Sequence, residues 1–310
     1  MTSVRISTIV FVTVLFPSLL HAQDLCVLSE GKRICTPPPP PPPQVAQIYI
    51  ANEWEESLQQ LNFATGALTT LYNIGGKPDD LTLSSTGALI YGVPDSGTVN
   101  MYDPTTGVNT VLTNIIPGAR DLTLEPGGQT LLISRIDDPA EIYRYSFVTN
   151  TATVFVPQTT GITSFQGTAY DSYGNLYAVA GNNTIIQLDP VTGATLNTIT
   201  IEAHSGVNGA DGLCFDSYSN SLWATMVGKV LGYGLIQIPV QASGFVSTDP
   251  GFTFYSLPYG APDGIKSDGR GNLYIGAIHT ANVYSIPTHT TIETVVTDGA
   301  DGVALVPGTY

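Results

Sequence analysis

The two ends of this sequence each carry part of one repeat, and that limits the fold more than any other feature. The fullest copy runs over residues 261–287, APDGIKSDGRGNLYIGAIHTANVYSIP. Asp263-Gly264 is a turn signal, since Gly takes positive φ without strain and Asp hydrogen-bonds nearby backbone. A short strand is expected over 265–267, then a polar connection over 268–272 and a second strand over 273–277. A loop over 279–282 leads to a third strand over 283–286, and 291–296 supplies a fourth. Four short strands punctuated by turns make one propeller blade.

Other copies carry the same marks. Asp80-Leu81-Thr82-Leu83 leads to Leu89-Ile90-Tyr91, and Asp121-Leu122-Thr123-Leu124 to Leu131-Leu132-Ile133. Gly167-Thr168-Ala169-Tyr170 leads to Leu176-Tyr177-Ala178, and Asp211-Gly212-Leu213 to Leu222-Trp223-Ala224. The spacing, about 38 to 52 residues, suits a blade. Asp301-Gly302-Val303-Ala304-Leu305 opens a blade that has no body. Gln47-Ile48-Tyr49-Ile50-Ala51 is a second strand with no opening strand before it. Joined, they make a sixth blade. The expected fold is all-β, a six-bladed β-propeller closed by its N- and C-terminal strands, which removes exposed sheet edges. Blade five carries a longer outer connection, over 241–251.

The segment ahead of the repeats reads differently. Residues 1–22 have Arg5, an apolar stretch and Leu20-His21-Ala22, the pattern of a cleaved signal peptide. The apolar stretch, about 15 residues, is short of the ~18–20 that span a bilayer. The chain is therefore expected to be exported, periplasmic or extracellular, with no membrane anchor after cleavage. Residues 23–44 form a leader. Cys26 and Cys35 flank a small hairpin and are expected to pair as a disulfide in an oxidising compartment. Seven prolines, 37–43, form a stiff polyproline spacer of roughly 20 Å. The propeller occupies 45–310. Cys214 lies in an opening strand and reads as a buried core residue. Asn182-Asn183-Thr184 fits a glycosylation acceptor.

The formal net charge is −15, and −16 without Arg5, although only 11% of residues are charged. Scarce lysines and arginines argue against nucleic acid, whose phosphates need basic partners. No nucleophile elbow, zinc-protease or phosphate-loop pattern occurs, and no organic cofactor is expected.

In a propeller the innermost strand of each blade lines a central channel, and its first residue sits at the channel mouth. Aligned on the turn, that position is Asp80, Asp121, Gln166 or Gly167, Asp211, Asp263 and Asp301. Carboxylates gathered round one axis repel, so either a cation holds them ionised or some take up protons. Hard oxygen ligands in loose geometry suit Ca²⁺ above other divalent cations. The alternative is that each Asp only caps its own turn. On the same face lie His204 and His279, candidates for a general base. Glu53, Trp54, Glu55 and Glu56 share that face, as do Asp137, Asp138 and Glu141.

The phrases PDGIKSDGRGNLYIGAIHTANVYSI and ADGLCFDSYSNSLWATMVG resemble the gluconolactonase and senescence-marker-protein family, and more broadly NHL-like propellers. The resemblance covers most of 45–307. It implies a divalent metal at the channel mouth, held by residues at the starts of innermost strands. Asp211 stands in the family's Asp-Gly phrase, where the resemblance implies a role in catalysis too. The family's Gly-Glu-Ser-Pro phrase has no counterpart here.

Three functions follow as expectations. The first is an exported propeller that binds a small molecule, protein or glycan at its acidic channel mouth, with a divalent cation. The second is a metal-dependent lactone or ester hydrolase, with Asp211, His204 and His279 as catalytic candidates and the metal activating water. The third is an interaction scaffold in which the aspartates serve the turns.

Overall fold

The computed structural model describes residues 25–29, 32–36 and 47–309, except 160, 182–183, 202–208, 228–231 and 247–251. His204, the prolines 37–43 and the Asn182 acceptor lie outside the described residues. The chain divides into two units, Met1–Pro42 and Pro43–Tyr310. In the first, Leu25–Ser29 and Lys32–Thr36 form an antiparallel hairpin whose register sets Cys26 opposite Cys35.

The second unit is a six-bladed propeller. Blade one is built from both ends of the unit. Ala300–Leu305 pairs with Gln47–Asn52, then Ser57–Asn62 and Ala67–Asn73 follow. The innermost strands of blades two to six are Leu81–Leu83, Ala119–Leu124, Phe165–Tyr170, Ala210–Asp216 and Pro262–Ser267. Every blade is an antiparallel meander of four strands, and blade five adds the short strand Gly244–Phe245. No helix of the described residues is long and apolar enough to cross a membrane.

Burial explains the sequence pattern. The second strand of a blade is covered by neighbouring blades on both faces, so it reads as a continuous apolar run; Leu89–Val93 and Leu176–Ala180 are buried at every residue. The outermost strands face water on one side and carry Thr, Asn and Val instead, as in Val108–Thr113. Apolar clusters fill the gaps between blades. One joins Tyr49, Ala51 and Leu58 of blade one to Leu81, Tyr91 and Tyr102 of blade two.

Two expectations change. The third strand of blade six is Thr280–Ser285, so residues 280–282 belong to a strand and not a loop. Asn282 is polar yet fully buried there, which is why its chemistry suggested a loop. In addition, the first strand of blade six begins at Pro262, with the Asp-Gly pair already inside it.

Candidate functional site

The channel mouth is shaped by a recurring irregularity. Where innermost and second strands meet, the register slips by one residue in blades three, four, five, six and one. A bulge of this kind re-aims side chains, so two successive positions reach the mouth instead of one. The residues that correspond from blade to blade are fixed by their partners on the second strand. These are Leu81 opposite Tyr91, Leu122 opposite Ile133, Thr168 opposite Ala178, Leu213 opposite Ala224, Ile265 opposite Ile275 and Val303 opposite Ile50.

Counted back from that residue, the aspartates form two rings. One step back stand Asp80, Asp121, Gly167, Gly212, Gly264 and Gly302. Two steps back stand Asp79, Arg120, Gln166, Asp211, Asp263 and Asp301. Alignment on the turn makes Asp80 and Asp121 equivalents of Asp211, Asp263 and Asp301. They are offset by one residue, because the Asp precedes Leu directly in blades two and three but precedes Gly in blades five, six and one.

The two rings make different contacts. Asp80 Oδ2 accepts from Leu122 N of the next blade at 3.2 Å and from Lys266 Nζ across the channel at 3.2 Å. Asp121 Oδ2 accepts from Thr168 N and Oγ1, both at 2.8 Å. In the other ring, Arg120 Nη1 bonds Asp79 Oδ2. Arg120's charge also acts on Asp263, Asp211 and Asp301. Burial works against that charge, yet the surrounding carboxylates hold the guanidinium above its ordinary pKa. Lys266 behaves likewise: burial opposes its charge, and Asp80 and Asp121 more than offset it.

Six carboxylates face two cations, and burial with mutual repulsion raises the pKa of the surplus acids. Burial first, then the charge of neighbouring acids, raises Asp79 to about 7, Asp211 to about 6 and Asp301 to about 8. Asp121 rises to about 8, mainly through burial and the charge of Asp80, and Asp263 is raised well above the usual range. Glu53 joins the group through Asp301, with which it shares a hydrogen bond. The space left inside this ring is about 10 Å³, at most one water.

A metal held here would need several carboxylates converging on one point. Among the described residues, no three His, Cys, Asp or Glu side chains do so. Arg120 stands among these acids, with its guanidinium on Asp79 and its charge acting on Asp263, Asp211 and Asp301. The residues present therefore do not fit a channel-mouth metal.

The remaining candidates lie apart from the ring contacts. His279 is exposed, with Nδ1 at 3.3 Å from Asp298 Oδ1 and its ring edge-on to Trp54 at 5.0 Å. Trp54 itself is 52% exposed. Asp138 accepts from Gln158 Nε2 at 2.8 Å, and Glu141 accepts from Tyr143 OH at 2.7 Å. Glu55 and Glu56 sit in the turn after Gln47–Asn52, where Asn52 Oδ1 accepts from Glu55 N at 2.8 Å. Cys214 is buried and free, and burial pushes its thiol far up. The sequence reading missed Asp79, Arg120 and Lys266. Aligning the copies on the apolar residue, not on Asp, would have put all three on the channel wall.

No protein-family model matches the chain, and no curated protein does either. Solved structures do. A chain of the nidogen/laminin complex superposes with TM-score 0.67 at 15% identity, covering 84% of this chain and 98% of that one. A gluconolactonase from Xanthomonas campestris gives TM-score 0.63 at 14% identity, over 85% and 91%. Virginiamycin B lyase from Staphylococcus aureus gives 0.57 at 15%, over 82% and 85%. The fold these structures share with this chain is the β-propeller, six-bladed here. At these identities the likeness is one of fold, shared by structures with different titles, and it assigns no activity.

Proposed function

We propose that this chain is an exported, non-catalytic binding propeller whose recognition surface is the upper face, the face onto which the channel mouth opens. The acid ring is then the hub that joins the blades. The observation that carries this reading is Arg120. A guanidinium set among Asp79, Asp211, Asp263 and Asp301 neutralises the charge a catalytic metal would serve, and it leaves no room for a substrate. The signal-like residues 1–22 support export, and the superposed chain of the nidogen/laminin complex belongs to an assembly, as a recognition module would.

A second reading is a lactone or ester hydrolase. Its support is Asp211, which burial lifts to about 6, near the range of a general base, together with the superposed gluconolactonase. One experiment separates the two. The purified protein is assayed on a panel of lactones with Ca²⁺, Mg²⁺, Mn²⁺ or Zn²⁺, beside Asp211→Asn. No turnover above the variant is expected. Metal-dependent turnover lost in Asp211→Asn would overturn the binding reading.

A further inference from the structure

Between blades one and two, the upper face opens into a cleft of about 570 Å³, within the usual size of a small-molecule site. Blade two supplies one wall, lined by Ser96, Thr98, Asn100 and Asn109 with the buried Tyr91. Tyr91 OH donates to Asn109 Oδ1 at 3.1 Å, and Asn100 Nδ2 donates to Thr98 Oγ1 at 3.1 Å. Blade one closes the other side with Ile74, Gly75 and Gly76.

The junction of blades five and six shows why this cleft exists. The same wall recurs there: Asn282 lies opposite Ile275 as Asn100 lies opposite Tyr91, and Thr291 lies opposite Tyr284 as Asn109 lies opposite Tyr102. Even the Thr-x-Asn pair is repeated, with Asn282 Nδ2 donating to Thr280 Oγ1 at 2.9 Å. That wall is covered. Tyr259, four residues before Asp263, packs into the junction with its hydroxyl beside Thr291, and Asn282 is fully buried. Four residues before Asp79 the chain has Gly75, and a Cβ built there would meet nothing within 4 Å. In blades four and five the residues in the Asn100 position are Ile186 and Ile236, both buried in the core. The wall of blade two is therefore polar where blades four and five are apolar, and Gly75 leaves it without the tyrosine that covers blade six; Asn100 is itself buried, and Ser96, Thr98 and Asn109 carry the open part of the wall.

We infer that this cleft binds a neutral saccharide. Amide and hydroxyl side chains offer donors and acceptors together, which matches sugar hydroxyls carrying both on each oxygen. A phosphate or carboxylate ligand would need unpaired cations. Among the described residues the one cation in the lining, Lys77, is paired with Glu53 at 3.2 Å, and Glu56 and Asp95 add negative charge. The inference deepens the binding reading and rests on it.

The test is ligand-observed NMR on the purified protein with neutral mono- and disaccharides at millimolar concentration, beside a sugar phosphate and an amino sugar. At least one neutral saccharide should bind. Asn109→Leu and Ser96→Trp, the second at an exposed position that plugs the mouth, should each weaken it tenfold or more; Val191→Ala, on an exposed turn of blade four, should not. If Asn109→Leu fails to fold, Ser96→Trp alone decides. The inference is overturned if no neutral saccharide binds, if binding survives both substitutions, or if the phosphate or amine binds more tightly. Lactone turnover would sink the non-catalytic reading without touching this cleft, and a silent cleft without turnover leaves that reading standing.

Discussion

Blades two and three meet their neighbours at the channel through carboxylates, whereas blades four, five, six and one do so through glycine. Asp80 and Asp121 reach across to backbone N–H groups of the following blade. Where Gly stands instead, the backbones themselves come close. A Cβ on Gly212 would lie 2.3 Å from Asp263 O, and one on Gly264 would lie 2.5 Å from Asp301 O. Gly302 N donates to Asp79 O at 3.0 Å, and Asp80 N makes the equivalent bond to Arg120 O at 3.3 Å, so the difference lies in the close approach at glycine and not in the backbone bond. The same joint is thus made in two ways, by a side-chain acceptor or by contact that only glycine permits. An aspartate that recurs in a repeat is not one residue with one task. Its position relative to the bulge decides whether it bonds the next blade or faces the central guanidinium.

The sharpest break in this comparison should come at Arg120. Its side chain is 38% exposed, so screening reduces what a fully buried pair would lose. Arg120→Ala is expected to cost about 2–3 kcal/mol at pH 7, by denaturant unfolding. Next, Asp121→Ala strands Thr168 N and Oγ1 and should cost about 2 kcal/mol. Asp121→Asn should cost less than about 1 kcal/mol, because at pH 7 the acid, raised to about 8, already carries a proton. A similar loss for both substitutions would show that ionic charge, not the acceptor oxygen, makes the joint. On the glycine side, Gly212→Ala should cost about 1–2 kcal/mol, through forced separation of blades five and six.

Stability should also depend on pH. Asp79, Asp121, Asp211 and Asp301 have folded pKa values of about 6 to 8 against 3.8 for the unfolded group. Between pH 4 and 8 the native state binds more protons than the unfolded chain, so raising pH removes stability. The contribution is complete below about pH 4 and gone above about pH 8. A melting temperature higher at pH 5 than at pH 8 is expected, with a steeper fall in Arg120→Ala. A flat profile would mean that the surplus acids are not protonated. The smallest effect belongs to His279→Ala, which is exposed and should move stability by less than about 0.5 kcal/mol.

Most of the fold was legible because a propeller writes itself as spacing. The runs Leu89-Ile90-Tyr91, Leu222-Trp223-Ala224 and Leu273-Tyr274-Ile275 are strands buried on both faces, and the split blade follows from the unmatched ends. What stayed hidden depends on tertiary context. Arg120 and Lys266 look like ordinary solvated cations in one dimension, and only the ring shows that carboxylates hold them. The offset between Asp80 and Asp263 was present in the letters, as Asp-Leu against Asp-Gly, but its meaning comes from the bulge. Asn100 and Asn282 both stand in a Thr-x-Asn-x-Tyr pattern, and what differs around them, Gly75 against Tyr259, lies 25 and 23 residues upstream.

The central claim is that the cation in the acid ring is the protein's own arginine. Calorimetric titration of Ca²⁺ into chelator-treated protein tests it most directly. The account predicts no saturable heat and no change in melting temperature with calcium. Tight one-to-one binding, abolished by Asp211→Asn, would contradict it and restore the ring as a metal site.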